Sequence, residues 1–144
     1  MVRAERGAHP AADQLVLAAR ALVGVRFRPQ GRNEGGLDCV GLLWLAALRA
    51  GIRLGDRRDY PLRPNSADRV VAMLCREGFL DLPTPAAGPG DLLVMEPARD
   101  QVHLCLLTDR GVIEAHAGLR RMVERPHRAD ECIIGAYRFP EGED

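Results

Sequence analysis

The segment GGLDCVGLLWLAALRAG, residues 35–51, sets a cysteine where a glycine-rich stretch turns into an apolar helix. With Asp38 as N-cap, Cys39 is the first helical residue, and its sulfur lies near backbone N–H groups that have no partner inside the helix. That end of a helix carries roughly half a positive charge, which favours thiolate over thiol and is expected to lower the thiol pKa, as a nucleophile at neutral pH requires. The alternative is a small buried hydrophobe behind a good cap. The remaining cysteines, at 75, 105 and 132, are far apart and form no Cys-x-x-Cys pair, which argues against a zinc site and against a disulfide framework. Cys75 and Cys132, in an apolar helix and an apolar strand, are expected to be buried.

A cysteine nucleophile needs a base, usually a histidine distant in sequence and near in space. His9 lies in a frayed N-terminus and His127 in the polar RPHRADE, so both are expected to be solvated. His103 opens the strand QVHLCLLT, in which residues 103, 105 and 107 share one face and residues 104 and 106 the other. Four residues, TDRG, then lead into VIEAHA. If Leu107 pairs with Val112, His116 stands directly across from His103 and Glu114 stands diagonally. Either can hold an imidazole in its working tautomer, and the choice stays open.

The elements that must carry these residues follow from periodicity. Residues 11–23 have apolar side chains at helical spacing and end at Gly24. The stretch VRFRPQGRNEGG is too broken by glycine and proline for a helix or a central strand, and it delivers Asp38 and Cys39. A second helix runs from Cys39 to about Ala50, stopped by Gly51, and a third runs from an Asn65 or Ser66 cap to about Glu77, stopped by Gly78. Beyond LPTPAAGPG the period changes to short runs rich in Val, Ile and Leu: DLLVME, QVHLCLLT, GVIEAHA and ECIIGAYRF. Helices followed by strands make an α+β fold, with the Cys39 helix packed on one face of a C-terminal antiparallel sheet. Residues 1–144 are expected to form a single domain, without repeat or linker.

Composition narrows the role. The chain of 144 residues is 47% hydrophobic and 28% charged, as expected for a globular protein. Its 20 basic residues, all arginine and scattered along the chain, balance 20 acidic ones, so no net field favours nucleic acid or an anionic membrane. No apolar run reaches the ~20 residues of a membrane span. The N-terminal residues do not read as a signal peptide, so synthesis in the cytosol is expected.

Four segments in order resemble the NlpC/P60 family of papain-like cysteine peptidases, which cut peptide stems of the bacterial cell wall: GVRFRPQG, LDCVGLLW, PGDLLVM and VHLCLLTDRGVIEAHA. The resemblance runs from about Leu15 to Phe139. It implies the papain-like fold, Cys39 as nucleophile, His103 as general base, and no metal or cofactor. The family's third polar residue falls in an apolar, polar, alanine pattern, which aligns Glu114 and leaves His116 as the competitor favoured by cross-strand pairing. Asp38 matches an aspartate that recognises the free amine of a stem peptide. Phe27 and Val40 stand near the cleft where many members have tyrosine and serine, and these departures bear on substrate preference. The implied partners are peptidoglycan stem peptides. Compact size and the lack of a secretion signal resemble members encoded with phage tails and gene-transfer particles, which implies phage-like tail proteins as partners and particle-borne action on the wall. A non-catalytic tail component of the same fold is the alternative.

Overall fold

The computed structural model describes residues 9–56, 66–99 and 101–141. Helix α1 (Ala12–Arg20) buries Ala12, Leu15, Val16 and Ala19, then gives way to turns before Gly24. It ends at Arg20 and does not continue to 23 as expected. Its start is set by His9. Ala11 offers no side-chain cap, so His9 Nδ1 accepts the Ala11 N–H at 2.8 Å while Nε2 donates to the Pro140 carbonyl at 2.9 Å. The ring is 4% exposed, which corrects the expectation of a solvated His9: two hydrogen bonds offset the cost of its burial.

The broken stretch before the cysteine carries two short paired strands, β1 (Arg32–Asn33) and β2 (Gly36–Leu37), with Phe27 bridged to Leu37. Helix α2 (Cys39–Arg49) follows, and the chain leaves it through Gly51 at φ +83°, a conformation open to glycine. Leu42, Ala46 and Ala47 are fully buried, and each buried leucine side chain contributes ~2 kcal/mol. Asn65, one of the two expected caps, lies outside the described residues. Ser66, the other, accepts the Arg69 N–H at 3.3 Å and starts α3 (Ala67–Arg76). Val70 and Leu74 are the buried stripe of α3. Cys75, one step around the helix, falls off that stripe and is exposed, contrary to its expected burial.

Six antiparallel strands complete the fold: β3 (Leu80–Leu82), β4 (Leu92–Ala98), β5 (Gln101–Thr108), β6 (Gly111–His116), β7 (Arg121–Arg125) and β8 (Ile133–Arg138). Their order in the sheet is β3-β8-β4-β5-β6-β7. Two were not expected, β3 because Leu-Asp-Leu is too short to show a period and β7 because Arg121, Glu124 and Arg125 hide its apolar positions. Cys132 precedes β8, is not part of it, and is exposed, the second correction among the cysteines. The β5–β6 register pairs Leu107 with Val112 as expected, and the pairing ends at Leu106 and Ile113.

Alternation along β5 divides two cores. Leu104 and Leu106 join Leu42, Ala46 and Ile113 on the side of the helices. Cys105 and Leu107 pack with Leu93, Met95, Val112 and Ala136 on the other. Helix α2 lies against β5 and β6, so the α+β arrangement with the Cys39 helix on one sheet face is the one observed. Among the described residues no helix is long and apolar enough to cross a membrane.

Candidate active site

Asp38 is 2% exposed and both of its oxygens are engaged. Oδ1 accepts the Gly41 N–H at 2.7 Å and Arg32 Nη1 at 3.3 Å, and Oδ2 accepts the Gln30 N–H at 2.8 Å. It is the expected N-cap of α2, and it also ties the preceding loop to the first helical turn. Its carboxylate faces the protein. Gly41 completes this arrangement. A Cβ there would fall 2.0 Å from the Gly31 carbonyl oxygen, so the motif Asp-Cys-Val-Gly clamps loop and helix together. Phe27 is half-buried against the core, donates its N–H to the Arg120 carbonyl at 2.8 Å, and lines an open cleft of about 1110 Å³ with Arg26, Leu119, Arg120 and Arg121.

Cys39 begins α2 as expected and is partly exposed. Its thiol is not lowered. Burial of the sulfur among protein atoms, with the Asp38 carboxylate adding to it, pushes the pKa up to about 12, against relief from backbone N–H groups including that of Leu104. Desolvation and the full negative charge one residue away outweigh the partial positive charge of the helix end, contrary to the expected lowering. The sulfur therefore rests protonated, beside the backbone of the residue that follows His103. No hydrogen bond joins it to the His103 ring.

The other expected residues divide cleanly. His103 Nε2 meets Glu114 Oε1 at 2.5 Å, while His116 Nδ1 accepts the Leu119 N–H at 3.0 Å, closing the β6–β7 turn. Glu114 is 5% exposed. Burial alone would raise its pKa, but the His103 imidazole and the Arg125 guanidinium outweigh burial and hold the carboxyl at about 2. An ionised Glu114 can only accept, so Nε2 carries a proton and donates it to the carboxylate.

Two members of this cluster escaped the sequence reading. Arg125 Nε donates to Glu114 Oε2, and its two Nη atoms grip Glu131 Oε1 at 2.8 Å and Oε2 at 2.6 Å. The Arg125 guanidinium brings Glu131 to about 2 as well. A cavity of about 580 Å³ opens over the cluster, with His103, Glu114, His116, Arg125, Glu131 and Cys132 in its walls. Cys39 is not among those walls. The helix tip and the cluster share a neighbourhood all the same, because the buried Cys105 thiol, raised first by burial, feels both Glu114 and Cys39. Among the described residues no group of three or more His, Cys, Asp or Glu is arranged to hold a metal ion. His127 is exposed, as expected.

Comparison with solved structures places the chain in a known fold. NlpC2 from Trichomonas vaginalis aligns with TM-score 0.66 and 13% identity over 94% of this chain and 49% of that one. The P60 domain of M. avium subspecies paratuberculosis antigen MAP1204 aligns with TM-score 0.61 and 20% identity over 89% of this chain and 93% of that one. The NlpC/p60 domain of the peptidoglycan hydrolase SagA aligns with TM-score 0.55 and 18% identity over 77% and 85%. The chain spans about half the length of the Trichomonas protein. No family model and no curated protein matches the sequence. The chain has the NlpC/P60 fold.

Proposed function

We propose that this protein is a cysteine peptidase that hydrolyses amide bonds in peptidoglycan stem peptides, with Cys39 as nucleophile, His103 as general base and Glu114 as the residue that orients it. The observation that carries the reading is the Nε2–H bond from His103 to Glu114, which turns Nδ1 over to the thiol, on the residue next to the N–H that meets the Cys39 sulfur. The chemistry follows from a thiol that rests protonated. His103 takes the Sγ proton as sulfur attacks the carbonyl carbon, and N–H groups at the start of α2 receive the oxyanion. The protonated ring then gives its proton to the leaving amine, and water, deprotonated by the same ring, hydrolyses the thioester. The apo pair is not hydrogen-bonded, and such contacts tighten when substrate is bound. The bond we assign joins D-glutamate to a diamino acid, by resemblance to the family and by likeness to a fold that includes a peptidoglycan hydrolase. Asp38 then holds the loop of residues 30–32 against the helix turn that carries the nucleophile, and Phe27 lines the approach. The substrate partner is the stem peptide, and phage-like tail proteins are the proposed carriers to the wall.

Purified protein is incubated with muropeptides and the products are read by mass spectrometry. Wild type is expected to release the diamino acid fragment and Cys39→Ala to release none; equal turnover by both removes the assignment. A second reading, a non-catalytic component of a phage-like tail, is favoured by the absence of a thiol–imidazole hydrogen bond. It predicts no turnover by wild type and a place in assembled particles.

A further inference from the structure

We propose that Arg125, locked by Glu131, is a positioning residue that fixes the Glu114 carboxylate against His103 and offsets its negative charge. This rests on the reading above, and extends it to a residue that does not touch substrate. A carboxylate beside a general base is a mixed benefit. It aligns the ring, yet its full charge stabilises the imidazolium and so works against release of the proton in the second half of the reaction. The guanidinium reconciles the two. Its Nε binds the Glu114 oxygen that His103 leaves free, and its Nη pair is held by both oxygens of Glu131, so neither Arg125 nor Glu114 can rotate alone. Arg125 also donates to the Pro126 carbonyl at 3.0 Å, which closes the fork around the end of β7. Glu131 in turn accepts the Arg128 N–H at 2.7 Å, so the clamp is anchored in the turn before β8.

His103 faces charged and titratable groups from every neighbouring element. Glu96 comes from β4, Glu114 and His116 from β6, and Arg125 from β7. Arg128, Asp130, Glu131 and Cys132 come from the connection to β8, and Cys105 shares the face of β5. Cys39 reaches β5 from α2. Of the two cations in this set, Arg125 is the one bonded to the carboxylate that holds the ring, so its removal acts on His103 through Glu114 while removal of Glu131 acts through Arg125.

The test uses the full chain and two independent measurements. Proton NMR in wild type is expected to show a downfield, exchange-protected signal from the His103 Nε2 proton, identified by its loss in His103→Gln. Arg125→Gln is expected to broaden or abolish it, Arg125→Lys to recover it in part, and Glu131→Gln to weaken it. On muropeptide, Arg125→Gln is expected to lower kcat at least tenfold with KM within about twofold, the pattern of a group acting on the chemical step. The acid limb of the kcat/KM profile then moves to higher pH by about one unit in Arg125→Gln and to lower pH in Glu131→Gln, because one variant deletes a cation near the imidazolium and the other an anion. Opposite shifts are not what simple loosening of the fold produces. A folded Arg125→Gln with an unchanged signal and profile overturns the proposal. So do shifts of the same sign in the two variants. If Arg125→Gln does not fold, Arg125→Lys and Glu131→Gln decide it: wild-type signals in both overturn the clamp. The NMR arm needs no turnover, so an inactive protein with the expected signals refutes the peptidase reading and leaves the clamp standing.

Discussion

Glu114 reaches His103 diagonally across the β5–β6 pair, Oε1 to Nε2 at 2.5 Å, although the regular pairing of the two strands stops at Leu106 and Ile113. Beyond that pair β6 is held by β7, whose Val123 lies opposite Glu114 and whose Arg125 supplies the second bond to the carboxylate. The third member of the cluster is thus chosen by the neighbouring strand.

Substitution separates the two candidates for that role. Glu114→Gln is expected to lower kcat/KM by roughly 10- to 100-fold, within the range for loss of an orienting partner, while His116→Ala changes it by less than about threefold. Steady-state kinetics on a defined stem peptide measures both. A larger loss in His116→Ala would reverse the assignment.

Exposure ranks the thiols. Short treatment with iodoacetamide near pH 7, followed by peptide mass mapping, is expected to label the exposed Cys75 and Cys132 first, Cys39 more slowly and Cys105 last. Desolvation holds Cys39 as the neutral thiol, and the thiolate is the form that alkylates. Its labelling rate in the resting protein should still be climbing above pH 9.

Acid should unfold the protein through its clamp. Glu114 titrates at 4.5 as an ordinary carboxyl and at about 2 in the fold. A depressed folded value means that stability is fully present above about pH 4.5 and is lost as pH falls toward 2, a loss on the order of 2 to 3 kcal/mol for this group. Urea midpoints measured between pH 7 and pH 3 should therefore fall steeply in wild type. Glu114→Gln should be less stable at pH 7 and show a flatter dependence.

Gly41→Ala should cost about 3 kcal/mol, a fall of roughly 10 °C in Tm, because the new Cβ meets a backbone oxygen that cannot rotate aside. Calorimetry measures this directly. Val40→Ala, one residue earlier on a half-buried position, should cost less than half as much.

What could be read in advance was whatever local pattern determines. The Asp38 cap, the extent of α2, the glycine stops and the Leu107–Val112 register depend on residue type and spacing over a few positions, and each is found. The helix-side stripe of Leu104 and Leu106 follows from alternation alone. What failed depends on partners distant in the chain. His9 is buried because it meets Pro140. The Cys39 thiol is raised because burial in the folded chain, with the Asp38 carboxylate adding to it, outweighs the helix end. Arg125 was invisible because a strand with three charged residues in five has no readable period, and its meaning comes only from Glu114 and Glu131 on either side. A charged residue on a short strand with an acidic residue six positions later was the one available signal.

The order β5-β6-β7 places imidazole, carboxylate and guanidinium on three successive strands joined by short turns, so they travel as one raft. The Cys39 thiol is berthed elsewhere. Its helix tip is moored to residues 30–32 through Asp38 and the Gly31–Gly41 contact. Mutation can therefore redraw the mooring, and with it what docks beside the sulfur, while the raft of imidazole, carboxylate and guanidinium is inherited intact.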